Sequence, residues 1–189
     1  MAIKFVDTRI SGLKIIIPNL FEDNRGNYTK IYEKSCFAEH GISCSFSETS
    51  EIVSHRGVLR GMHYQTVDSQ AKLVHVIRGM IYDVAIDLRP NSTTFGKYEG
   101  FFLEGNDEKI VYIPEGFAHG FLALEENTIF TYQCSGVYRP EYCGGIIWND
   151  PDIGIRWPTA QIDKIILSEK DQHNLRFVDF KKMLESNYE

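Results

Sequence analysis

Two short stretches carry the side chains best suited to proton and anion chemistry. In Gly57-Val58-Leu59-Arg60-Gly61-Met62-His63-Tyr64-Gln65, a guanidinium, an imidazole and a phenol sit together in an otherwise apolar, glycine-flanked segment. An imidazole titrates near neutral pH, which suits it to acid–base work, and a guanidinium offers a planar fork to phosphate or carboxylate. Read as a strand, Leu59, Gly61, His63 and Gln65 share one face, and Val58, Arg60, Met62 and Tyr64 the other. Rigid alternation therefore separates Arg60 from His63. Either a bulge or bend at Gly61 reunites them, or they serve different surfaces. The second stretch is Pro114-Glu115-Gly116-Phe117-Ala118-His119-Gly120-Phe121, where a tight turn delivers His119 just inside a strand. Either histidine has a bland reading, as a satisfied core side chain. The functional reading has both imidazoles meeting at the mouth of one barrel.

The segments around them read as strands. Leu73–Ile77, a turn at Arg78-Gly79 and Met80–Leu88 predict a hairpin. In its second half Tyr82, Val84, Ile86 and Leu88 line one face and Asp83 and Asp87 the other. Residues 13–17, 46–54, 95–103, 109–113, 117–124 and 128–138 continue the short-strand rhythm, and the turn over 21–28 leads into a strand through Ile31 and Tyr32. Lys34 to His40 with Gly41 behind it predicts a short helix, as does Phe177 to Glu185. The expectation is an all-β sandwich or barrel with short flanking helices, in one domain over residues 1–189.

Composition narrows the function. With 189 residues, 43% hydrophobic content and net charge −6, the chain reads as globular and ill-suited to neutralising a nucleic-acid backbone. No apolar run is long enough to span a bilayer, and Met1 to Thr8 lacks the form of a secretory signal. Cys36, Cys44, Cys134 and Cys143 include no CxxC pair, which argues against zinc; reduced thiols in the cytoplasm are the simpler reading, although the count also allows two disulfides in an exported protein.

The strings RGVLRGMHYQ, QAKLVHVIRGMIYDVAIDLR, TFGKY, IPEGFAHGF, YRPE, WNDPDIGIRWP and ILSEKD, in this order, resemble the RmlC family. These are dTDP-4-dehydrorhamnose 3,5-epimerases, acting on nucleotide-linked 4-keto-6-deoxy sugars; the reaction so implied here is cofactor-independent inversion of C3, C5 or both, and the sequence leaves one centre versus two open. The resemblance runs from about Leu13 to Asp171. It implies a cupin-type jelly roll (a double-stranded β-helix) and a homodimer that exchanges an N-terminal strand. It also implies a catalytic set: His63 as base, Asp171 as its orienting partner, Tyr132 as acid on the opposite face, and Lys72 at the enolate oxygen. Tyr138 is the rival acid and otherwise a substrate contact, and Asp83 is the rival partner of His63. Arg60, His119, Arg25 and Lys170 match positions near the nucleotide or phosphates, although a solvated surface lysine fits Lys170 as well. Arg60 reads as buried among apolar neighbours. Cupin metal sites pair two histidines one residue apart, and position 65 is Gln, so neither metal nor other cofactor is expected.

Three departures accompany these matches. Lys30 stands where the family usually has Glu, Glu48-Thr49-Ser50 replaces Gln-x-Asn, and Cys143 replaces a Glu. Glu48 and Ser50 are therefore expected at substrate-binding positions, with the nucleotide or sugar altered. The competing readings are a keto-isomerase of similar sugar nucleotides, an iron-dependent cupin oxygenase and a non-catalytic sugar-binding jelly roll.

Overall fold

A computed structural model describes residues 3–107 and 109–186, so the outermost residues of the expected 1–189 domain lie outside the description. In chain order the elements are β1 (Lys4–Asp7), β2 (Lys14–Ile17), β3 (Leu20–Asp23), β4 (Gly26–Thr29), α1 (Lys34–Glu39), β5 (Phe46–Ser54), β6 (Leu59–Gln65), β7 (Lys72–Arg78) and β8 (Met80–Asp87). They continue with β9 (Tyr98–Glu104), β10 (Ile110–Ile113), β11 (Phe117–Ala123), β12 (Thr128–Ser135), β13 (Cys143–Gly145), α2 (Glu169–Gln172) and α3 (Phe177–Ser186). A six-stranded sheet runs β1-β2-β10-β7-β12-β5, a five-stranded sheet β13-β6-β11-β8-β9, and β3-β4 form a separate hairpin. Every ladder between these strands is antiparallel.

From β5 to β8, and again from β10 to β12, successive strands alternate between the two large sheets. This winding is that of a jelly roll, as the all-β reading anticipates. It also corrects the expected hairpin over residues 73–88. Strand β7 pairs with β10 and β12, whereas β8 pairs with β9 and β11. Arg78-Gly79 is thus a corner between sheets, with Gly79 at φ +77° and its would-be Cβ 2.5 Å from the Thr128 hydroxyl oxygen. The strand expected through Ile31 and Tyr32 is also absent. The chain instead folds back at Asp23–Gly26, and β3-β4 occupy residues 20–29.

Apolar alternation sorts the side chains into three layers. Between the sheets lie Val74, Val76, Ile81, Ala85, Phe121 and Phe130. The outer face of the five-stranded sheet, carrying Tyr82, Val84, Ile86 and Leu88, packs under the C-terminal segment with Phe177 and Phe180 of α3. Phe37 of α1 and Ile42 cover the other sheet. Cys36, Cys44, Cys134 and Cys143 are all free thiols. Among the described residues no helix is long and apolar enough to cross a membrane.

Asp87 ties the corner after β8. Its wholly buried carboxylate accepts from Arg89 Nε at 2.8 Å, Ser92 Oγ at 2.6 Å and Thr94 Oγ1 at 2.7 Å. Burial pushes the acid upward, but the Arg89, Ser92 and Thr94 bonds outweigh it and bring it down to about 2. Its contribution to stability is therefore complete above the unfolded carboxyl value of about 4 and is lost as pH falls through about 2. Asp87→Asn is expected to cost about 2 kcal/mol at pH 7 and to flatten the acid fall of stability in that window. Urea titrations at several pH values check this; equal slopes for both proteins would contradict it.

Candidate active site

The Arg60–His63 question is settled by register. On β11, His119 pairs with His63 and Phe121 with Arg60, so two steps on one strand oppose three on the other. The extra residue is a bulge in β6. Leu59, Met62 and Tyr64 accordingly all pack in the outer apolar layer, which their parity alone forbids. Gly61 adopts φ +131°, and a Cβ there would meet Gly120 Cα at 2.5 Å. Glycine at this crossing lets both Arg60 and His63 face one cavity.

His63 has a fixed partner. Its Nε2 lies 2.6 Å from Asp171 Oδ1. Asp171 sits in the first turn of α2, where the Ser168 hydroxyl accepts its backbone N–H at 3.1 Å, the Ser-x-x-acid pattern of a helix start. The carboxylate is buried, not a surface acid. Burial pulls Asp171 upward, but the His63 bond and charge, with the Gly61 N–H and the Ser168 hydroxyl, hold it below the ordinary carboxylate value. Asn174, which the sequence reading missed, donates from Nδ2 to the Gly61 carbonyl at 3.1 Å and to Asp171 at 3.4 Å. Its position three residues after Asp171 was the available signal. Asp83, the rival partner, binds His119 instead.

Lys72 and Tyr132 stand on the facing sheet. They belong to neighbouring strands β7 and β12, with Lys72 opposite Cys134 and Tyr132 opposite Val74. The Lys72 ammonium lies 5.7 Å from the centre of the Tyr132 ring. Burial depresses the basicity of Lys72 and raises the Tyr132 phenol above its usual value, where Cys134 adds and a Ser50 hydrogen bond subtracts. His63, Asp171, Lys72 and Tyr132 all border one cavity of about 390 Å³. That volume suits a small ligand, and its walls carry an imidazole on one sheet and an ammonium and a phenol on the other.

The remaining expected residues divide. Arg60, Lys170, Tyr138 and Glu48 border the cavity, as does Cys143. Arg60 is exposed rather than buried, because the bulge turns it out of the apolar layer. Ser50 is not on the wall; it donates to Glu48 Oε1 at 3.1 Å and lies opposite Tyr132 in the β5–β12 ladder. His119 is not on the wall: it is buried, with Nε2 2.6 Å from Asp83 Oδ1, and burial lowers its basicity despite that carboxylate. Arg25 lies on the exposed β3-β4 hairpin, paired with Asp23 at 2.6 Å, away from this cavity. Lys30 is likewise exposed and paired with Glu33 at 2.8 Å. Among the described residues no group of three His, Cys, Asp or Glu side chains gathers as a metal shell. Gln65, noted in the sequence only as a missing metal ligand, proves to be a buried member of the wall.

An imidazole, an ammonium and a phenol on one cavity wall can exchange protons with a bound ligand and meet negative charge on its oxygens. The family model described as dTDP-4-dehydrorhamnose 3,5-epimerase matches residues 7–179. The chain is 47% identical over 170 residues to the dTDP-4-dehydrorhamnose 3,5-epimerase of Methanothermobacter thermautotrophicus, covering 90% of this chain and 92% of that one. The crystal structure of dTDP-4-dehydrorhamnose 3,5-epimerase from Elizabethkingia anophelis superposes with a TM-score of 0.90 at 41% identity, over 95% of this chain and 98% of that one. The RmlC epimerase of Legionella pneumophila, solved in complex with dTDP-4-keto-L-rhamnose, gives 0.87 at 38% identity over 91% of each chain. By fold and by similarity along nearly its whole length, the chain belongs to the dTDP-4-dehydrorhamnose 3,5-epimerase family, whose members are isomerases.

Proposed function

We propose that this chain inverts C3 and C5 of a dTDP-linked 4-keto-6-deoxyhexose through enolate intermediates, without a redox cofactor. A hydrogen beside the C4 ketone is acidic because its removal leaves charge on oxygen. His63, through Nδ1, removes that proton, and Asp171 steadies the imidazolium at Nε2. Lys72 neutralises the enolate oxygen, and Tyr132 returns a proton from the other side. Each carbon loses one proton to His63 and gains a different one from Tyr132, so its oxidation state is unchanged, and exchange with solvent returns the imidazole and the phenol to their starting forms before the next inversion. What supports this reading most is that the imidazole and the phenol belong to facing sheets and border one cavity. Tyr132 is favoured over Tyr138 as the acid because it lies inside, beside Lys72, whereas Tyr138 is 58% exposed at the rim.

Arg60 and Lys170 border the same cavity and suit the diphosphate. Arg25 fits that role only across a homodimer in which strand exchange carries its hairpin to a second pocket; light scattering of the purified protein tests the dimer. The four free thiols support a cytoplasmic location. The relatives' shared dTDP names support the nucleotide, and Glu48 and Cys143 on the wall are where an altered preference would originate.

The test is turnover in D₂O followed by NMR, with the dTDP substrate beside its CDP and GDP counterparts. Deuterium at both C3 and C5 is expected. Exchange at neither position, on any of these sugars, would overturn the reading in favour of a binding protein. Preference for the dTDP substrate at ordinary efficiency would remove the altered-nucleotide expectation.

A further inference from the structure

The side chain of Gln65 makes an unusually full set of bonds for one carboxamide. Its Nε2 donates to the carbonyls of Val67 at 2.9 Å, Asp68 at 2.8 Å and Val137 at 3.0 Å. Its Oε1 accepts the Arg139 N–H at 2.9 Å and the Cys143 thiol at 3.7 Å. An amide has two N–H groups, so one of them is shared between two of the three carbonyls, and both lone pairs of Oε1 face a donor. The residues so bound are informative. Val137 and Arg139 are the two neighbours of Tyr138, and the Cys143 thiol also lies 3.3 Å from the Arg139 carbonyl. The chain leaves β12 through Gly136 at φ +67°, where nothing regular fixes the next residues. A second tie holds the same two loops from outside: Arg139 Nε to Asp68 Oδ2 at 2.6 Å. Tyr138 itself is 58% exposed yet borders the cavity, so its ring stands at the mouth.

We propose that Gln65 is a positioning residue for Tyr138. By gripping the main chain on both sides of that tyrosine, it sets the phenol ring over the cavity mouth, and thereby governs how firmly the sugar nucleotide is held rather than how fast its protons move. This rests on the epimerase reading, and wild-type turnover tests that reading separately.

The experiment compares KM and kcat for Gln65→Leu, Gln65→Glu, Tyr138→Ala, Asp68→Ala and the double variants with Tyr138→Ala, each checked for folding by circular dichroism. Gln65→Leu is expected to raise KM about ten-fold with kcat within about three-fold of wild type, and to add nothing in the Tyr138→Ala background. A carboxylate at position 65 faces three carbonyl oxygens, so Gln65→Glu should bind poorly at neutral pH and recover as acid restores an O–H donor. Asp68 is exposed, so Asp68→Ala keeps the test alive if the buried variants do not fold. It should raise KM about two- to three-fold, again only when Tyr138 is present. KM effects that add fully to that of Tyr138→Ala, or a fall in kcat at unchanged KM, would overturn the proposal.

Discussion

His63→Asn is expected to lower kcat by about 10³-fold while leaving the fold intact. Asparagine keeps a donor for Asp171 at similar size, so the buried carboxylate is not stranded, yet the variant has no base at working pH. Asp171→Asn should cost somewhat less, about 10²-fold, since the imidazole remains but its tautomer and its cationic form lose their support. Because the two act as a unit, the double variant should be little worse than His63→Asn alone. The 2.6 Å contact between His63 and Asp171 requires this coupling. Independent, multiplying losses in single-turnover assays would show that Asp171 serves the fold and not the base. Asp171 is held below the ordinary carboxylate value, so the partner stays charged through the range in which such an enzyme would work.

Lys72→Met should yield a protein that is more stable and nearly inactive. Burial depresses the basicity of Lys72, which means that the folded state holds its charge at a cost. Replacing the ammonium with an apolar side chain of similar length removes that cost, and melting temperature should rise. The same change removes the cation that meets the enolate oxygen, and kcat should fall about 10²–10³-fold. The sign of the pH dependence follows from the direction of the shift. Between the depressed folded value and the ordinary 10.5, the unfolded chain binds a proton that the folded chain does not, so stability rises with pH there. That rise should be present in wild type and missing in Lys72→Met. A variant that melts lower than wild type, or keeps its turnover, contradicts the role assigned to Lys72.

What the sequence disclosed and what it withheld follow a physical line. Strand content was legible from short alternating runs, and α1 from its glycine stop. Sheet membership was not, since residues 72–87 read as two strands and a turn whether they pair or part. Only the tertiary winding puts β7 and β8 in different sheets. Strand β1 was missed because it lies on the sheet edge and most of it is exposed, leaving no apolar alternation to read. At Gly61 the sequence posed the right alternatives, but a bulge is a relation between two strands and needs the register of β11. The choice between Asp171 and Asp83 was likewise out of reach, because each aspartate lies far along the chain from His63 or on another strand. Gln65 was passed over since a glutamine carries no chemistry of its own; its importance comes from the carbonyls and the N–H around it.

The central claim is that a proton leaves on the His63 side and another arrives on the Tyr132 side of one sugar ring. Incubating Tyr132→Phe with the dTDP-4-keto sugar in D₂O, and reading C3 and C5 by NMR, tests it most directly. Deuterium should enter with configuration retained, because His63 can remove and return a proton on its own face but nothing serves the other. Inversion at the wild-type rate would contradict the claim, since a proton would then be reaching the far face without the phenol.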